Sequence, residues 1–348
     1  MPRGMKTIAE IYAQPEVWQE CLAQMEATDL SELIRGRDPR VAEWIFIGCG
    51  TSYYLAQAAA ASFTALLGVS ARAVPASEAL LFPSLAFPGG AAKYFPVLIS
   101  RSGHTSEVLR VARQMQEQKV EYLALTCDGR ELEQISSRVL KLAVEEKSTV
   151  MTSSFTAMLL ALQSIAATVA GDGSFLDALK DLPEQLRSLL ERYGPAMKKL
   201  AERDFEDVTF LGQGALYGIA SESALKVMES SSTYAQFFHT LEFRHGPKSI
   251  VAPRTLVGGL ISETGFEAET AVVREMKELG AMTLAVANEA TPELEAASDL
   301  VIELGLAVPE IARLAVYVVW GQLLGSYRGL VKGLDPDNPR NLSRVVTL

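Results

Sequence analysis

The sequence predicts an α/β protein made of two tandem parallel sheets, each flanked by helices. Three observations carry this. Short apolar runs stopped by glycine alternate with segments of helical periodicity, the pattern of strand–helix–strand units. The chain has 348 residues, which suits about two domains. It also repeats itself. Phe46-Ile47-Gly48-Cys49-Gly50-Thr51-Ser52-Tyr53 is echoed 164 residues later by Phe210-Leu211-Gly212-Gln213-Gly214-Ala215-Leu216-Tyr217. Ile99-Ser100-Arg101-Ser102-Gly103 is echoed 162 residues later by Ile261-Ser262-Glu263-Thr264-Gly265. Two echoes in one order and at nearly one spacing mark a duplicated unit of about 160 residues.

In chain order, residues 7–25 read as a leading helix. Residues 44–48 form an apolar run closed by Gly48, which suits a buried parallel strand. A helix over 53–67 and a second strand over 95–100 follow. Residues 106–119 are helical, with Val108, Leu109, Val111, Ala112 and Met115 on one face. Residues 122–126 make a third strand. A charged helical segment over 172–200, punctuated by Pro183 and Pro195, joins the halves. The second half repeats the order: strand 208–212, helix to 230, strand 256–262, helix 267–279, strand 282–286. Residues 310–325 give a last helix. Pro336 and Pro339 keep the tail over 335–342 out of helix. The expected organisation is a helical arm over 1–30, a first domain over 31–175, a linker over 176–200, a second domain over 201–330 and a tail over 331–348.

Composition narrows the function. Hydrophobic residues make up 49% and charged residues 21%, enough apolar material for a sizeable core. The formal charge of −10 argues against non-specific binding to nucleic acid or to an anionic membrane. Cys21, Cys49 and Cys127 are far apart, and His104, His239 and His245 complete no zinc spacing, so no metal is expected. Tyr53 stands where a dinucleotide fingerprint needs its third glycine, and no redox cofactor is expected. No Gly-x-Ser-x-Gly elbow is present. Residues 1–6 lead into an amphipathic pattern rather than a signal core. The longest apolar stretch, over 155–170, is interrupted by Gln163 and Ser164 and reads as too short for a bilayer span. The expected location is cytoplasmic.

Four segments hold candidate chemistry. Ser100-Arg101-Ser102-Gly103-His104-Thr105 lies between a strand and a helix, where free N–H groups and hydroxyls suit a phosphate; an ordinary capped turn uses the same residues. Gly48-Cys49-Gly50-Thr51-Ser52 ends the preceding strand, so Thr51 and Ser52 can line the same pocket. Lys226 and Glu229 are three apart on one helix, either a surface ion pair or a carboxylate base beside a cation. His245, followed by Gly246-Pro247, sits in a loop, where an imidazole can shuttle protons.

Together these residues resemble the SIS (sugar isomerase) family, especially stand-alone relatives of the isomerase half of glutamine–fructose-6-phosphate amidotransferase. Gly-Cys-Gly-Thr-Ser at 48–52, Ser-x-Ser-Gly-x-Thr at 100–105, Ala-Leu-Lys-x-x-Glu at 224–229, His-Gly-Pro at 245–247 and Asp-x-Asp-x-Pro-Arg-Asn-Leu at 335–342 occur in the family's order. The resemblance implies two tandem SIS domains of doubly wound, flavodoxin-like type and a homodimer with shared active sites. It also implies roles. Ser100, Ser102 and Thr105 hold the phosphate, Thr51 and Ser52 meet the sugar or the phosphate, Thr149 and Thr152 contact the sugar, and Arg101 and Asn338 join the substrate-binding set. Glu229 moves the proton between carbons 1 and 2, Lys226 lies near it, and His245 opens the ring across the dimer. Met1-Pro2 takes the place of an N-terminal glutaminase, so glutamine is not the expected nitrogen donor. The expected activity is deamination and isomerisation of an amino-sugar 6-phosphate such as glucosamine-6-phosphate. A fructosyl-amino-acid 6-phosphate deglycase, an ammonia- or partner-dependent synthase-like isomerase and a non-enzymatic sugar-phosphate sensor are the alternatives.

Overall fold

The computed structural model of the protein describes residues 4–35, 38 and 43–346; Met1, Pro2 and Arg3 of the expected amphipathic start lie outside the described residues. The chain divides into two compact units. One comprises Glu16–Glu146, Ser153–Asp181 and Ser343–Leu348, the other Met1–Pro15, Lys147–Thr152 and Leu182–Leu342.

The first of these units holds a five-stranded sheet of β1 (Glu43–Gly48), β2 (Ala71–Pro75), β3 (Tyr94–Ile99), β4 (Leu123–Thr126) and β5 (Val139–Lys141), in the order β2-β1-β3-β4-β5. All four pairings are parallel. Successive side chains of β1 point to opposite faces, and both faces are covered. Trp44 and Phe46 pack on Phe63 of helix Thr51–Leu67, with ring centroids 4.6 and 4.8 Å apart. Ile45 and Ile47 join Leu98 and the face of helix Ser106–Glu117 that carries Val108, Val111, Ala112 and Met115. This two-sided burial explains why the strand reads as an unbroken apolar run. The apolar stretch over 155–170 belongs to helix Ser153–Ala170. Its 18 residues are long enough to cross a bilayer, contrary to the expectation from sequence, but 89% of it is buried as a core helix is.

The second unit repeats the plan. Its sheet contains β6 (Asp207–Gly212), β7 (Tyr234–Phe238), β8 (Thr255–Leu260), β9 (Met282–Ala287) and β10 (Leu300–Glu303), ordered β10-β9-β8-β6-β7 and parallel throughout. Written from the other edge this is the topology of the first sheet, the 2-1-3-4-5 order of flavodoxin-like folds. In such sheets the strand order reverses between β1 and β3, and again between β6 and β8, and ligands bind at the carboxyl ends there.

Three local readings are corrected. Residues 7–25 form two helices, Met5–Tyr12 and Gln14–Ala27, instead of one. Pro15 has no N–H to give the carbonyl of Ile11, and the Gln14 side-chain amide takes that acceptor at 3.1 Å. The last helix is Leu314–Val331, later and longer than expected. Residues 310–313 make tighter turns ahead of it, with Ala312 N on the carbonyl of Pro309 at 2.9 Å and Arg313 N on that of Glu310 at 3.0 Å. Edge strands β2, β5, β7 and β10 lacked a sequence signature because only one residue of each is buried, too few to leave an apolar run or an alternation.

Candidate active site

In the first unit, β1 and β3 are neighbours and their carboxyl ends release two loops side by side. Gly48 packs against Ser52, where a Cβ would meet the Ser52 backbone at 2.6 Å. The chain then turns through Gly50 at φ +53° into helix Thr51–Leu67, burying Thr51 and Ser52 at its first turn. After β3, Ser100 Oγ accepts from Gly103 N at 3.2 Å and lies 3.1 Å from Thr105 Oγ1. Ser102 Oγ accepts from His104 N at 3.2 Å. Gly103 has φ +62°, and a Cβ there would stand 1.8 Å from the Gly129 carbonyl oxygen, so only glycine closes this loop. Thr105 is the N-cap of helix Ser106–Glu117 but makes no side-chain cap bond. The hydroxyls of Ser100, Ser102 and Thr105 therefore gather beside a helix N-terminus, an arrangement that favours an anion. Arg101 turns inward: its Nη1 is 3.0 Å from Glu146 Oε2, both groups are buried, and Glu146 also accepts from Ser154 Oγ at 2.5 Å. Its carbonyl accepts from the N–H groups of Cys127 and Asp128, so Arg101 braces the loop from behind.

The matching loop of the second unit is filled by the chain itself. Glu269 is fully buried and accepts from Ser262 N and Ser262 Oγ, each at 2.7 Å. Its carboxyl group lies against Gly265, where a Cβ would meet Oε1 at 2.2 Å. Burial pushes its pKa up, against the lowering effect of the Ser262 hydrogen bonds. Its counterpart in the first unit, Glu107, leaves Oε2 without a hydrogen-bond partner among the described residues. The duplication thus holds one anion-suited loop and one closed by an internal carboxyl group.

The second unit supplies the acid–base groups. Helix Leu216–Ser231 follows β6 and packs on helix Leu314–Val331. Gly321, Gly325 and Gly329 form a stripe on the latter, and added Cβ atoms would meet Ser223 Cβ at 2.5 Å, Lys226 O at 2.5 Å and Ser230 O at 2.2 Å. The close approach these glycines permit seals Lys226 in, at 1% exposure. Its Nζ lies 3.2 Å from Glu222 Oε1 and 2.5 Å from Glu229 Oε2. Burial opposes the lysine's charge, but the two carboxylates outweigh it and raise its pKa. Glu222 is fully buried, whereas Glu229 keeps 16% of its side chain exposed.

Glu229 opens onto a cavity of about 230 Å³ lined by Ser230, Ser232 and tail residues 333–335 and 338–340. Asn338 and Arg340 belong to this lining. Thr149 is tied to the same tail, donating its N–H to the carbonyl of Asp337 at 3.3 Å. Buried Thr152 offers its carbonyl to Gln322 Nε2 at 3.3 Å. His245 sits apart from this lining, exposed beside the turn Glu242–Arg244, with its N–H on the carbonyl of Glu242 at 2.9 Å.

Sequence reasoning did not assign Glu222, although its place four residues before Lys226 was a visible signal. It also gave no role to Asp337, whose partners lie some 330 residues away, to Glu269, which turns back to Ser262, or to Arg340 in the cavity wall. Burial, together with the charge of Glu107, pushes the Cys49 thiol up to about 12, and burial does the same for Cys21, so neither thiol is activated. No group of three or more His, Cys, Asp or Glu side chains suited to a metal ion occurs among the described residues.

Comparison with known proteins matches the fold. The family described as SIS domain matches residues 42–168 and 203–322. A Streptomyces coelicolor protein provisionally named D-galactosamine-6-phosphate deaminase is 31% identical over 97% of this chain and 91% of its own length. The glutamine–fructose-6-phosphate aminotransferase (isomerizing) of Methanothermobacter thermautotrophicus is 27% identical over 98% of this chain, which spans only 57% of that relative's length. Among solved structures, the glucosamine-6-phosphate deaminase of Thermotoga maritima superposes with a TM-score of 0.82 at 27% identity, covering 99% of this chain and all of that one.

Proposed function

The chain belongs to the SIS domain family, and from that premise we propose that it is a phosphosugar deaminase/isomerase. It converts an amino-sugar 6-phosphate such as glucosamine-6-phosphate, with water, to fructose-6-phosphate and ammonia. The observation that carries this reading is Glu229, held by buried Lys226 at the edge of a cavity. A carboxylate fixed by one oxygen and open at the other is placed for proton transfer. The names of the Streptomyces coelicolor and Thermotoga maritima relatives support a deaminase.

In this mechanism Ser100, Ser102 and Thr105 hold the phosphate at the helix N-terminus, with Arg101 bracing their loop. Thr51, Ser52, Thr149, Thr152 and Asn338 line the sugar. His245, supplied by a second copy of the chain, opens the ring. Glu229 takes the proton from carbon 2 and returns it to carbon 1 through an enolamine. Lys226 balances the negative charge around that step. The resulting carbon–nitrogen double bond is hydrolysed by water, which releases ammonia and leaves the ketose.

Ammonia release in a coupled assay over a panel of hexosamine 6-phosphates tests the reading. Glu229→Gln should lower kcat by at least about a hundredfold, the usual scale of general acid–base catalysis. If the wild type releases no ammonia from any member of the panel, the activity is rejected. Release of a free amino acid from a fructosyl-amino-acid 6-phosphate would identify a deglycase instead.

A further inference from the structure

The tail that walls the Glu229 cavity is fastened to the start of the chain, some 330 residues away. Asp337 is 6% exposed. Its Oδ1 accepts from Thr7 N at 2.8 Å and from Thr7 Oγ1 at 2.9 Å, and its Oδ2 accepts from Lys6 N at 3.3 Å. The first helix, Met5–Tyr12, begins after Gly4, which has no side chain to cap it. The first turn of a helix leaves its N–H groups without intrahelical partners. Asp337 satisfies two of them from the far end of the sequence. Asp335 adds to the fastening. Its Oδ1 accepts from Gly4 N at 3.0 Å, and its Oδ2 from Asn338 Nδ2 at 3.2 Å. Asp337 offers its own carbonyl to Thr149. Next in sequence, Asn338, Pro339 and Arg340 turn toward Glu229 as part of the cavity wall.

We propose that Asp337 is a positioning residue: it acts as a latch that uses Lys6 and Thr7 to hold residues 338–340 over the Glu229 cavity. The N-terminal segment thereby becomes part of the substrate-binding apparatus without touching substrate. The effect on KM rests on the activity proposed above; the fastening itself does not.

Two measurements on the full chain test it. The first is the rate of trypsin cleavage after Arg340. The second is KM and kcat for ammonia release. Asp337→Asn puts an amide NH2 opposite either Lys6 N–H or the two Thr7 donors, whichever way it is flipped. Thr7→Val removes the hydroxyl, and Thr7→Ser keeps it. Asp337→Asn should speed cleavage and raise KM about tenfold each, the ratio that corresponds to about 1.4 kcal/mol. Thr7→Val should move both in the same direction, and Thr7→Ser should match the wild type. Unchanged cleavage in Asp337→Asn overturns the latch. Faster cleavage with an unchanged KM overturns its positioning role. If the wild type turns over no hexosamine 6-phosphate, the activity reading falls and the cleavage rates alone decide the latch.

Discussion

Replacing Lys226 by methionine isolates the electrostatics on which the Glu229 cavity depends. The ammonium group is sealed in, 3.2 Å from Glu222 and 2.5 Å from Glu229. At an effective dielectric constant of about 20, the contacts with Glu222 and Glu229 are worth about 5 and about 7 kcal/mol of Coulomb attraction. Much of that gain is offset by the cost of bringing three charged groups out of water. Removing the lysine alone is different, because Glu222 is fully buried and loses its cation. Breaking one side of a buried pair typically costs about 3–5 kcal/mol. For a unit of this size that is a fall in melting temperature of roughly 10 °C. Calorimetry of Lys226→Met at pH 7 reads it directly. Lys226→Met/Glu222→Gln should recover about 2 kcal/mol, because the uncompensated charge is then gone. The recovered double variant should still release ammonia slowly, since Glu229 has lost its partner. A single variant that melts within about 2 °C of the wild type, less than 1 kcal/mol on the same scale, would refute the argument. So would a double variant whose loss is the sum of the two singles.

Three further outcomes follow from the same geometry. Gly103→Ala should abolish saturation by sugar phosphate in steady-state kinetics, because its Cβ collides with the Gly129 carbonyl and φ is +62°; a KM within twofold of wild type would be inconsistent with a phosphate loop here. Glu269 has a folded pKa above its unfolded value, so its contribution to stability is complete below the unfolded pKa and is lost as pH rises through the folded one. The wild type should therefore lose more stability than Glu269→Gln as pH rises above the ordinary carboxylate range in denaturant titrations, and parallel curves would contradict the assignment. Mixed dimers of Glu229→Gln and His245→Ala, each inactive alone, should regain part of the wild-type ammonia release; a verified mixed dimer without activity would exclude shared sites.

Much of the fold could be read in the sequence, because burial leaves a periodic trace. The two-sided burial of β1 made Trp44 to Gly48 a continuous apolar run, and the one-sided burial of helix Ser106–Glu117 spaced its apolar residues helically. The internal repeat announced two sheets of like topology. The edge strands escaped because each buries a single residue, which leaves no periodic trace. The same division runs through the candidate site. The spacing of Lys226 and Glu229 already placed them on one helix face, and Gly103, directly after Ser102 in a loop between strand and helix, already marked a close approach of the backbone. Residue types and spacing alone left open whether that pair was a surface bridge, and packing answered it by closing the Gly321, Gly325 and Gly329 stripe over Lys226.

The sequence by itself determined the central strands of both sheets and the helices that follow them, where the loops at their carboxyl ends fall, and which residues carry charge at those loops. These are properties of neighbours along the chain. Only the tertiary structure decided which polar group meets which. Glu269 fills its own unit's loop, Arg101 turns back to Glu146, and Asp337 caps a helix at the opposite end of the chain. A hydrogen bond depends on a few tenths of an ångström between groups as far apart in the chain as Thr7 and Asp337, and no local periodicity records that approach.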